Sequence, residues 1–185
     1  MKPKLLPIHL YGDDILREKL PECSLQDANI QEFIRDLSYT MYERDGVGLA
    51  ANQVGSRLRM FVIDPDWSRE ECEPNPIVMI NPVITSSEGE TENEEGCISL
   101  PGIYANVRRP SRINISYTTP DGERITETAE GFKAVVIQHE YDHLEGILFT
   151  DRISTLAKLK LKRKLKDLAA QTVDGKNVRE GLPDE

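Results

Sequence analysis

Two histidines four residues apart, His139 and His143, carry the clearest chemical signal in the sequence, and Glu140 directly follows the first. On a helix, side chains at positions i and i+4 point the same way, so both imidazoles can bind one metal ion. Residues 131–137 are mainly apolar and Gly146 follows as a stop, which predicts a largely buried helix. Histidines and acids on a buried helix need a partner that satisfies them, and a metal ion would do so.

A third ligand is needed, and the chain offers few candidates. His9 is the remaining histidine and has no metal-spaced partner nearby, while Glu145 lies only two residues beyond His143. Cys97 follows an acidic run in a glycine-containing segment, where backbone freedom could present its sulfur. A thiolate and two imidazoles leave the fourth tetrahedral position open for water, which is the layout of a catalytic site.

Three segments together resemble the signature motifs of the peptide deformylase family, in the family's order. They are Gly-Val-Gly-Leu-Ala-Ala-Asn-Gln at 46–53, Glu-Gly-Cys-Ile-Ser at 95–99 and Gln-His-Glu-Tyr-Asp-His-Leu-Glu-Gly at 138–146. The resemblance spans nearly the whole chain, from the arm at 11–17 to the last predicted helix. It implies a metal-dependent hydrolase that removes the N-formyl group from the formyl-methionine of newly made polypeptides and releases formate.

The resemblance also implies a role for each matching residue. Cys97, His139 and His143 would be the metal ligands. Glu140 would act as general base and then as general acid, passing a proton to the leaving amine. The Gln53 amide and the Ile98 backbone N–H would hold the oxyanion of the tetrahedral intermediate.

Substrate contacts follow from the same segments. Gly48 and Gly96 would let the peptide backbone lie alongside as an added strand. Val47, Ile98, Phe132 and Val135 could line a pocket for the methionine side chain, although ordinary core packing explains these four equally well. Tyr104 lies close enough after the cysteine motif to touch the substrate beyond methionine.

The identity of the metal is left open by the residues. Sulfur and nitrogen ligands suit Zn²⁺, and the general affinity order places Zn²⁺ above Fe²⁺. The resemblance implies one divalent ion per chain with Fe²⁺ as the working metal, for which Zn²⁺, Ni²⁺ or Co²⁺ can substitute.

The helices and strands that the sequence predicts around these residues indicate an α+β fold, with mostly antiparallel strands packed around the central HExxH helix. Ile30, Phe33, Ile34, Leu37 and Met41 recur at helical spacing, which predicts an N-terminal amphipathic helix. Ser24 and Asp27 resemble a capping box for it, and Gly46 can end it. Strands are predicted at 57–64, 77–85 (an edge or bulged strand because of Pro82), 104–109, 112–118 and 124–129.

The 185 residues predict one catalytic domain over 1–170, with a C-terminal helix at about 154–170 and a polar, disordered tail at 171–185. No apolar run is long enough to span a membrane, and the N-terminus is not of the secretory type. Three scattered cysteines predict a reducing, cytoplasmic setting. The net charge of −9 argues against a DNA-binding protein.

The last predicted helix departs from this acidic average. It concentrates basic side chains among leucines: Lys158, Lys160, Lys162, Arg163, Lys164 and Lys166. One interpretation is a solvated amphipathic helix packed on the domain. Another is docking on ribosomal RNA, for which clustered Lys and Arg are typical and with which the resemblance agrees. No Trp or Phe is present to anchor the helix in a membrane.

Two rival functions remain at this point. One is an HExxH metallopeptidase that cleaves internal peptide bonds, although its usual downstream Glu or His ligand is missing. The other is a non-catalytic ribosome-binding module with a structural metal, which would require four protein ligands.

Overall fold

The computed structural model describes residues 2–26, 28–67 and 72–182. Three α-helices are present: α1 (Ile30–Glu43), α2 (Gly131–Leu144) and α3 (Thr155–Ala169). The strands are β1 (Ile8–His9), β2 (Gly48–Ala50), β3 (Met60–Ile63), β4 (Ile77–Glu88), β5 (Thr91–Cys97), β6 (Leu100–Arg109), β7 (Arg112–Thr118), β8 (Arg124–Glu130) and β9 (Val178–Arg179). Short 3-10 helices cover Asp14–Arg17, Ala51–Val54 and Phe149–Asp151. The predicted α+β class is confirmed.

The described strands form three antiparallel sheets. Five of them follow the order β2-β3-β4-β7-β8, while β5 pairs with β6 and β1 pairs with β9. Helix α2 packs against the five-stranded sheet, where Ala134 and Ile137 join a core cluster that includes Phe61 and Ile63. A helix with so many buried residues must satisfy its polar side chains inside the protein, as the sequence predicted.

Strand β4 contains the bulge expected at Pro82, since its pairing with β7 shifts register between Ile80 and Val83. Asn81 adopts a left-handed conformation there, with φ of 48°. The strand is nevertheless not at an edge, because it lies between β3 and β7. Proline has no N–H to donate to a neighbouring strand, and the bulge lets β4 accommodate it while still pairing with both β3 and β7.

Helix α1 buries the predicted face, including Ile30, Ile34, Leu37 and Met41. The predicted capping box does not start this helix, because the helix begins at Ile30, six residues after Ser24, with Asn29 at the N-cap. The Ser24 hydroxyl instead accepts a hydrogen bond from the Gln26 N–H at 3.2 Å and so forms a local turn. Asp27, the other member of the predicted box, lies outside the described residues.

Helix α3 begins as predicted, with the Ser154 hydroxyl accepting from the Ala157 N–H at 3.2 Å. Beyond it, the prediction of a disordered tail is wrong for residues 171–182, because the chain turns back and β9 pairs with β1. Asn177 is buried, and its side-chain amide donates to the carbonyl oxygens of Tyr11 at 2.8 Å and Leu168 at 3.0 Å. These bonds let a polar segment pack on the domain. Residues 183–185 lie outside the described residues.

Across the three described stretches of the chain, no helix combines the length and the apolar character needed to cross a bilayer.

Candidate active site

Helix α2 and the end of β5 bring the three predicted metal ligands together. The ligand atoms of Cys97, His139 and His143 all lie within 4.8 Å of one another, and Cys97 Sγ is 3.3 Å from His143 Nε2. Both histidines project from the same side of α2, as their spacing predicted. The cysteine comes from a bulged strand end, where Cys97 pairs with Leu100 across the tight turn between β5 and β6.

The separation of these atoms fits a metal ion between them. A tetrahedral centre with Zn–S of about 2.3 Å and Zn–N of about 2.0–2.1 Å places sulfur and nitrogen about 3.6 Å apart. The 3.3 Å between Cys97 Sγ and His143 Nε2 is close to this value. One thiolate and two imidazoles are a donor set that suits a divalent transition metal. The residues present therefore fit a divalent metal ion.

Glu95 orients the first histidine, a role that was not predicted from the sequence. Glu95 Oε1 lies 2.8 Å from His139 Nδ1. Burial opposes ionisation of Glu95, but hydrogen bonds from Arg109 and His139 outweigh it and hold the carboxyl pKa below its usual value. An ionised carboxylate can only accept, so Nδ1 of His139 carries the proton and Nε2 is left free to bind metal.

Arg109 in turn holds Glu95 and reaches helix α2. Its guanidinium donates to Glu95 through Nε at 2.6 Å and Nη2 at 2.9 Å, and through Nη1 to Asp142 at 2.9 Å. Arg152 donates to both oxygens of the same carboxylate, through Nε to Asp142 Oδ2 at 2.6 Å and through Nη2 to Oδ1 at 2.8 Å. Glu95, Arg109 and Asp142 are all buried. This chain of charge-assisted hydrogen bonds ties the cysteine strand to the histidine helix.

Glu140, the predicted general base, lies beside the ligand cluster. It is only 4% exposed, its Oε1 lies 4.0 Å from His139 Nε2, and its buried Oε2 has no hydrogen-bond partner among the described residues. Burial, aided by the negative charges of Glu95 and Asp142, raises the pKa of Glu140 to about 7. A carboxyl group with a pKa near neutrality can both take and return a proton at physiological pH.

Gln53 is held with its amide nitrogen toward the ligand cluster. Its Oε1 accepts from the Ala50 N–H at 2.9 Å, and its Nε2 donates to Ser99 Oγ at 3.1 Å and lies 3.4 Å from Cys97 Sγ. Because Oε1 is engaged, the donor end must face Cys97. Ile98 directly follows the cysteine, in the turn between β5 and β6.

A cavity of about 480 Å³ opens onto these groups. It is lined by Cys97, His139 and Glu140, by Gln53 and Ile98, and by every residue that the sequence suggested for substrate contact: Val47, Gly48, Gly96, Phe132 and Val135. His143 is 1% exposed and lies behind the wall. Tyr104 lines the cavity as well, with 61% of its surface exposed.

Two backbone edges border this cavity. Strand β2 is one of the two edge strands of the five-stranded sheet, and β5 pairs only with β6 among the described strands. Residues of both strands line the cavity, including Gly48 on β2 and Gly96 on β5. An extended peptide placed between them could form main-chain hydrogen bonds with either edge.

Comparison with known proteins agrees with this geometry. The family model described as Polypeptide deformylase matches residues 5–159. The peptide deformylase of Zymomonas mobilis is 47% identical over 165 residues, covering 87% of this chain and 93% of its own. That of Fusobacterium nucleatum is 43% identical over 170 residues, covering 89% and 93%.

Solved structures give the same result. A peptide deformylase from Legionella pneumophila superposes with a TM-score of 0.80 at 38% identity, covering 92% of this chain and all of its own. The Synechococcus elongatus enzyme in complex with actinonin gives a TM-score of 0.81 at 40% identity, covering 90% and 88%. These matches support neither the internal-peptidase hypothesis nor the structural-metal hypothesis. With three motifs meeting at one cavity and relatives matching over most of their length, the chain belongs to the peptide deformylase family.

Proposed function

We propose that this chain hydrolyses the N-formyl group of formyl-methionine at the start of newly made polypeptides, releasing formate. The observation that carries the proposal is the Cys97, His139 and His143 cluster with Glu140 beside it on the wall of one cavity. Family membership supports the reaction class.

Cys97 Sγ and the Nε2 atoms of His139 and His143 would hold the metal. When bound, a divalent ion supplies Lewis-acid polarisation of the formyl oxygen and lowers the pKa of water. The buried ion pair between Glu95 and Arg109 would keep His139 oriented toward it.

Glu140 would move the proton. Its carboxylate takes a proton from the attacking water as the new C–O bond forms at the formyl carbon. It then returns the proton to the methionine nitrogen as the C–N bond breaks, so that formate and a free amine leave. The pKa of about 7 that burial gives Glu140 suits both steps.

Gln53 Nε2 and the Ile98 backbone N–H would stabilise the negative charge that develops on the formyl oxygen. Gln53 is supported by the Ala50 N–H, so its donor is already oriented before substrate binds. Loss of one such donor typically lowers kcat by about 10²–10³-fold.

The substrate would lie as an added strand between β2 and β5, with its backbone along Gly48 and Gly96. The methionine side chain would enter the apolar part of the cavity near Val47, Phe132 and Val135. Val135 is 3% exposed and Phe132 is 48% exposed, so the pocket is shielded from solvent on the Val135 side and open to solvent on the Phe132 side.

Formate release from a formyl-Met-Ala-Ser peptide tests the reaction. We expect formate and a free N-terminus from this peptide, and no cleavage within longer peptides that lack the formyl group. Cleavage of internal bonds, or the absence of formate with a fully metal-loaded protein, would contradict the proposal.

We further propose Fe²⁺ as the working metal, which the family resemblance suggests, with Zn²⁺, Ni²⁺ and Co²⁺ as substitutes. An iron–thiolate centre should lose activity in air as Cys97 is oxidised. Protein purified anaerobically should contain about one iron per chain and should retain activity longer in the absence of oxygen. Stoichiometric zinc together with full activity in air would show the metal assignment to be wrong.

We also propose that α3 guides the enzyme to the ribosome. All six basic residues predicted on this helix are exposed, while Leu165 and Leu168 are buried. The activity would then take place in the cytoplasm, where ribosomes produce the substrate and a reactive thiolate stays reduced.

Reversing the charge of Lys158, Lys162 and Lys166 should weaken ribosome binding, and the difference from wild type should shrink at high salt. Reversal of Lys2 and Lys176, which are also exposed, serves as the control. Equal ribosome binding by the wild type, the α3 variant and the control would contradict the proposal and would mean that α3 is only a solvated helix packed on the domain.

A further inference from the structure

Two arginines from distant parts of the chain meet at the substrate cavity. Arg44 follows α1 and Arg179 lies in β9, and both line the cavity. The match to the family model ends at residue 159, so Arg179 lies beyond the residues that it covers. The pairing of β9 with β1 holds Arg179 in place, with Ile8 opposite it.

Neither arginine has an acidic partner within 4.0 Å among the described residues, although Asp45 and Glu94 line the same cavity. Arg44 donates through Nη2 to the Gly181 carbonyl oxygen at 2.6 Å, while its buried Nε has no hydrogen-bond partner in the described part of the chain. Burial and the neighbouring charge of Arg179 lower the pKa of Arg44. Two half-buried cations that repel each other favour an anion between them.

The distance along the backbone shows which part of a substrate could supply that anion. A Cβ on Gly48 would lie 2.6 Å from Glu140 Oε1, so Gly48 marks the reacting end of the cavity. Arg44 is four residues before it, so the Cα atoms of the two residues are at most about 13 Å apart at about 3.3 Å per residue. An extended peptide that starts at Glu140 places the Cα atoms of its third and fourth residues about 7 and 10 Å along its length, which is within that bound.

We propose that Arg44 and Arg179 form a subsite for a carboxylate side chain at the third or fourth residue of the formylated substrate, counted from formyl-methionine. The inference rests on the proposed function and adds a substrate preference to it. Arginine suits this role because its planar guanidinium binds carboxylates through two parallel hydrogen bonds. The preference would be for nascent chains with Asp or Glu soon after the start.

Paired peptides test the subsite. Formyl-Met-Ala-Ser-Ala amides carrying Asp or Asn at position 2, 3 or 4 differ only in charge, and C-terminal amidation removes the competing α-carboxylate. We expect kcat/KM to be roughly three- to ten-fold higher for Asp at position 3 or 4, mainly through a lower KM, and equal at position 2. An Asp-to-Asn ratio near one at every position would overturn the proposal.

Variants identify the groups responsible. In Arg44→Gln and Arg179→Gln the ratio should fall toward one, while Arg179→Lys, which keeps the charge, should retain part of it. Arg112→Gln, an exposed arginine paired with Glu88 and Glu130, serves as the control and should keep the wild-type ratio. Unchanged ratios in both glutamine variants would assign the preference to other groups and refute the subsite.

The chain's own acidic end is the competing occupant, because Asp184 and Glu185 follow Gly181 closely in sequence. A protein ending at residue 182 should show the same ratio as the full chain. A ratio near one in the full chain that rises only after this deletion would mean that the chain's own carboxylates bind the arginines. If no peptide yields formate, the proposed function itself fails, which is distinguishable from equal turnover of Asp and Asn peptides.

Discussion

Glu95 and Glu140 both lie beside His139, yet their surroundings give them opposite chemistry. Glu95 Oε1 is 2.8 Å from Nδ1 of the ring and is also held by Arg109, so its pKa is lowered and it stays ionised. Glu140 Oε1 is 4.0 Å from Nε2, and burial raises its pKa to about 7. One carboxylate is therefore suited to fixing the ring and the other to moving a proton.

Replacing Glu140 with Gln should remove proton transfer without removing metal. We expect kcat to fall by about 10²–10⁴-fold, because the amide cannot accept the proton of water. Metal content, measured on the same sample, should stay at the wild-type level. Glu123→Gln, the same change at an exposed position on the β7–β8 hairpin, is the control. Substantial turnover by the Glu140→Gln protein would assign the base to another residue.

Glu95→Gln should give a pH-dependent loss of stability. The folded pKa of Glu95 is lowered from 4.5, so its contribution is fully present above about pH 4.5 and is lost as the pH falls through the folded pKa. The free energy of unfolding should drop by roughly 2–4 kcal/mol at pH 7, with the difference from wild type shrinking under more acidic conditions.

Denaturant titration in the presence of a chelator separates this effect from metal loss. Glu92→Gln, which removes an exposed ion pair with Arg108, should change stability little at any pH. A difference between Glu95→Gln and wild type that stays constant from pH 7 to pH 3 would contradict the assigned ionisation.

The candidate metal ligands could be predicted from sequence, whereas the residues that hold them in place, Glu95, Arg109 and Asp142, could not. His139 and His143 carry a helical spacing that is visible in one segment. The bond from Arg109 to Glu95 joins residues 14 apart across the β5–β6 hairpin, and its bond to Asp142 joins residues 33 apart. Such contacts depend on strand register, which the composition of either segment does not specify.

At the scale of elements, strand β2 brings a backbone segment next to Glu140. Its three residues pair with β3 and are all buried. The sequence predicted no strand here, only that a substrate backbone would lie alongside Gly48, because three residues are too few to display an alternating pattern. Helix α1, with five apolar residues at regular spacing, was predicted over nearly its full length, whereas its first residue was not.

Gly48→Ala should displace the base. The new Cβ would lie 2.6 Å from Glu140 Oε1 and 2.9 Å from Cδ, so the carboxylate must move. Displacement of a catalytic group by about 1 Å can cost on the order of 10²-fold in kcat, which we expect here with metal content unchanged.

Gly96→Ala is the matched comparison on the opposite strand. Its Cβ would meet the Tyr104 ring at 2.6 Å, but that ring is 61% exposed and can turn away. We expect a smaller loss than in Gly48→Ala, appearing mainly in KM as the substrate strand is crowded. Equal losses of kcat in the two variants would argue against a specific clash with Glu140.

At the scale of the whole molecule, residues 177–179 pack against the N-terminal segment at residues 8–13. Besides the pairing of β9 with β1, the Asn177 backbone N–H donates to Asp13 Oδ2 at 2.9 Å. Sequence composition predicted disorder here because residues 171–185 are polar. The prediction failed for 171–182 because the buried Asn177 amide is satisfied by backbone carbonyls outside this segment, at Tyr11 and Leu168.

Asn177→Ala should loosen this closure. It leaves the Tyr11 and Leu168 carbonyls without their donor, at a cost of about 1–3 kcal/mol. The melting temperature should fall by roughly 3–10 °C. Asn106→Ala, at an exposed position on β6, should cause a much smaller change. A melting temperature equal to wild type would mean that the tail does not contribute to global stability.

The pairing of β1 with β9 can form only late in the synthesis of the chain. Ile8 leaves the ribosome early, but its partner Arg179 is polymerised 171 residues later, which at about 5–20 residues per second takes roughly 9–34 s. During this interval the first strand has no native neighbour in its sheet. An enzyme that processes other newly made chains would thus complete its own β1–β9 pairing only after Arg179 has been synthesised.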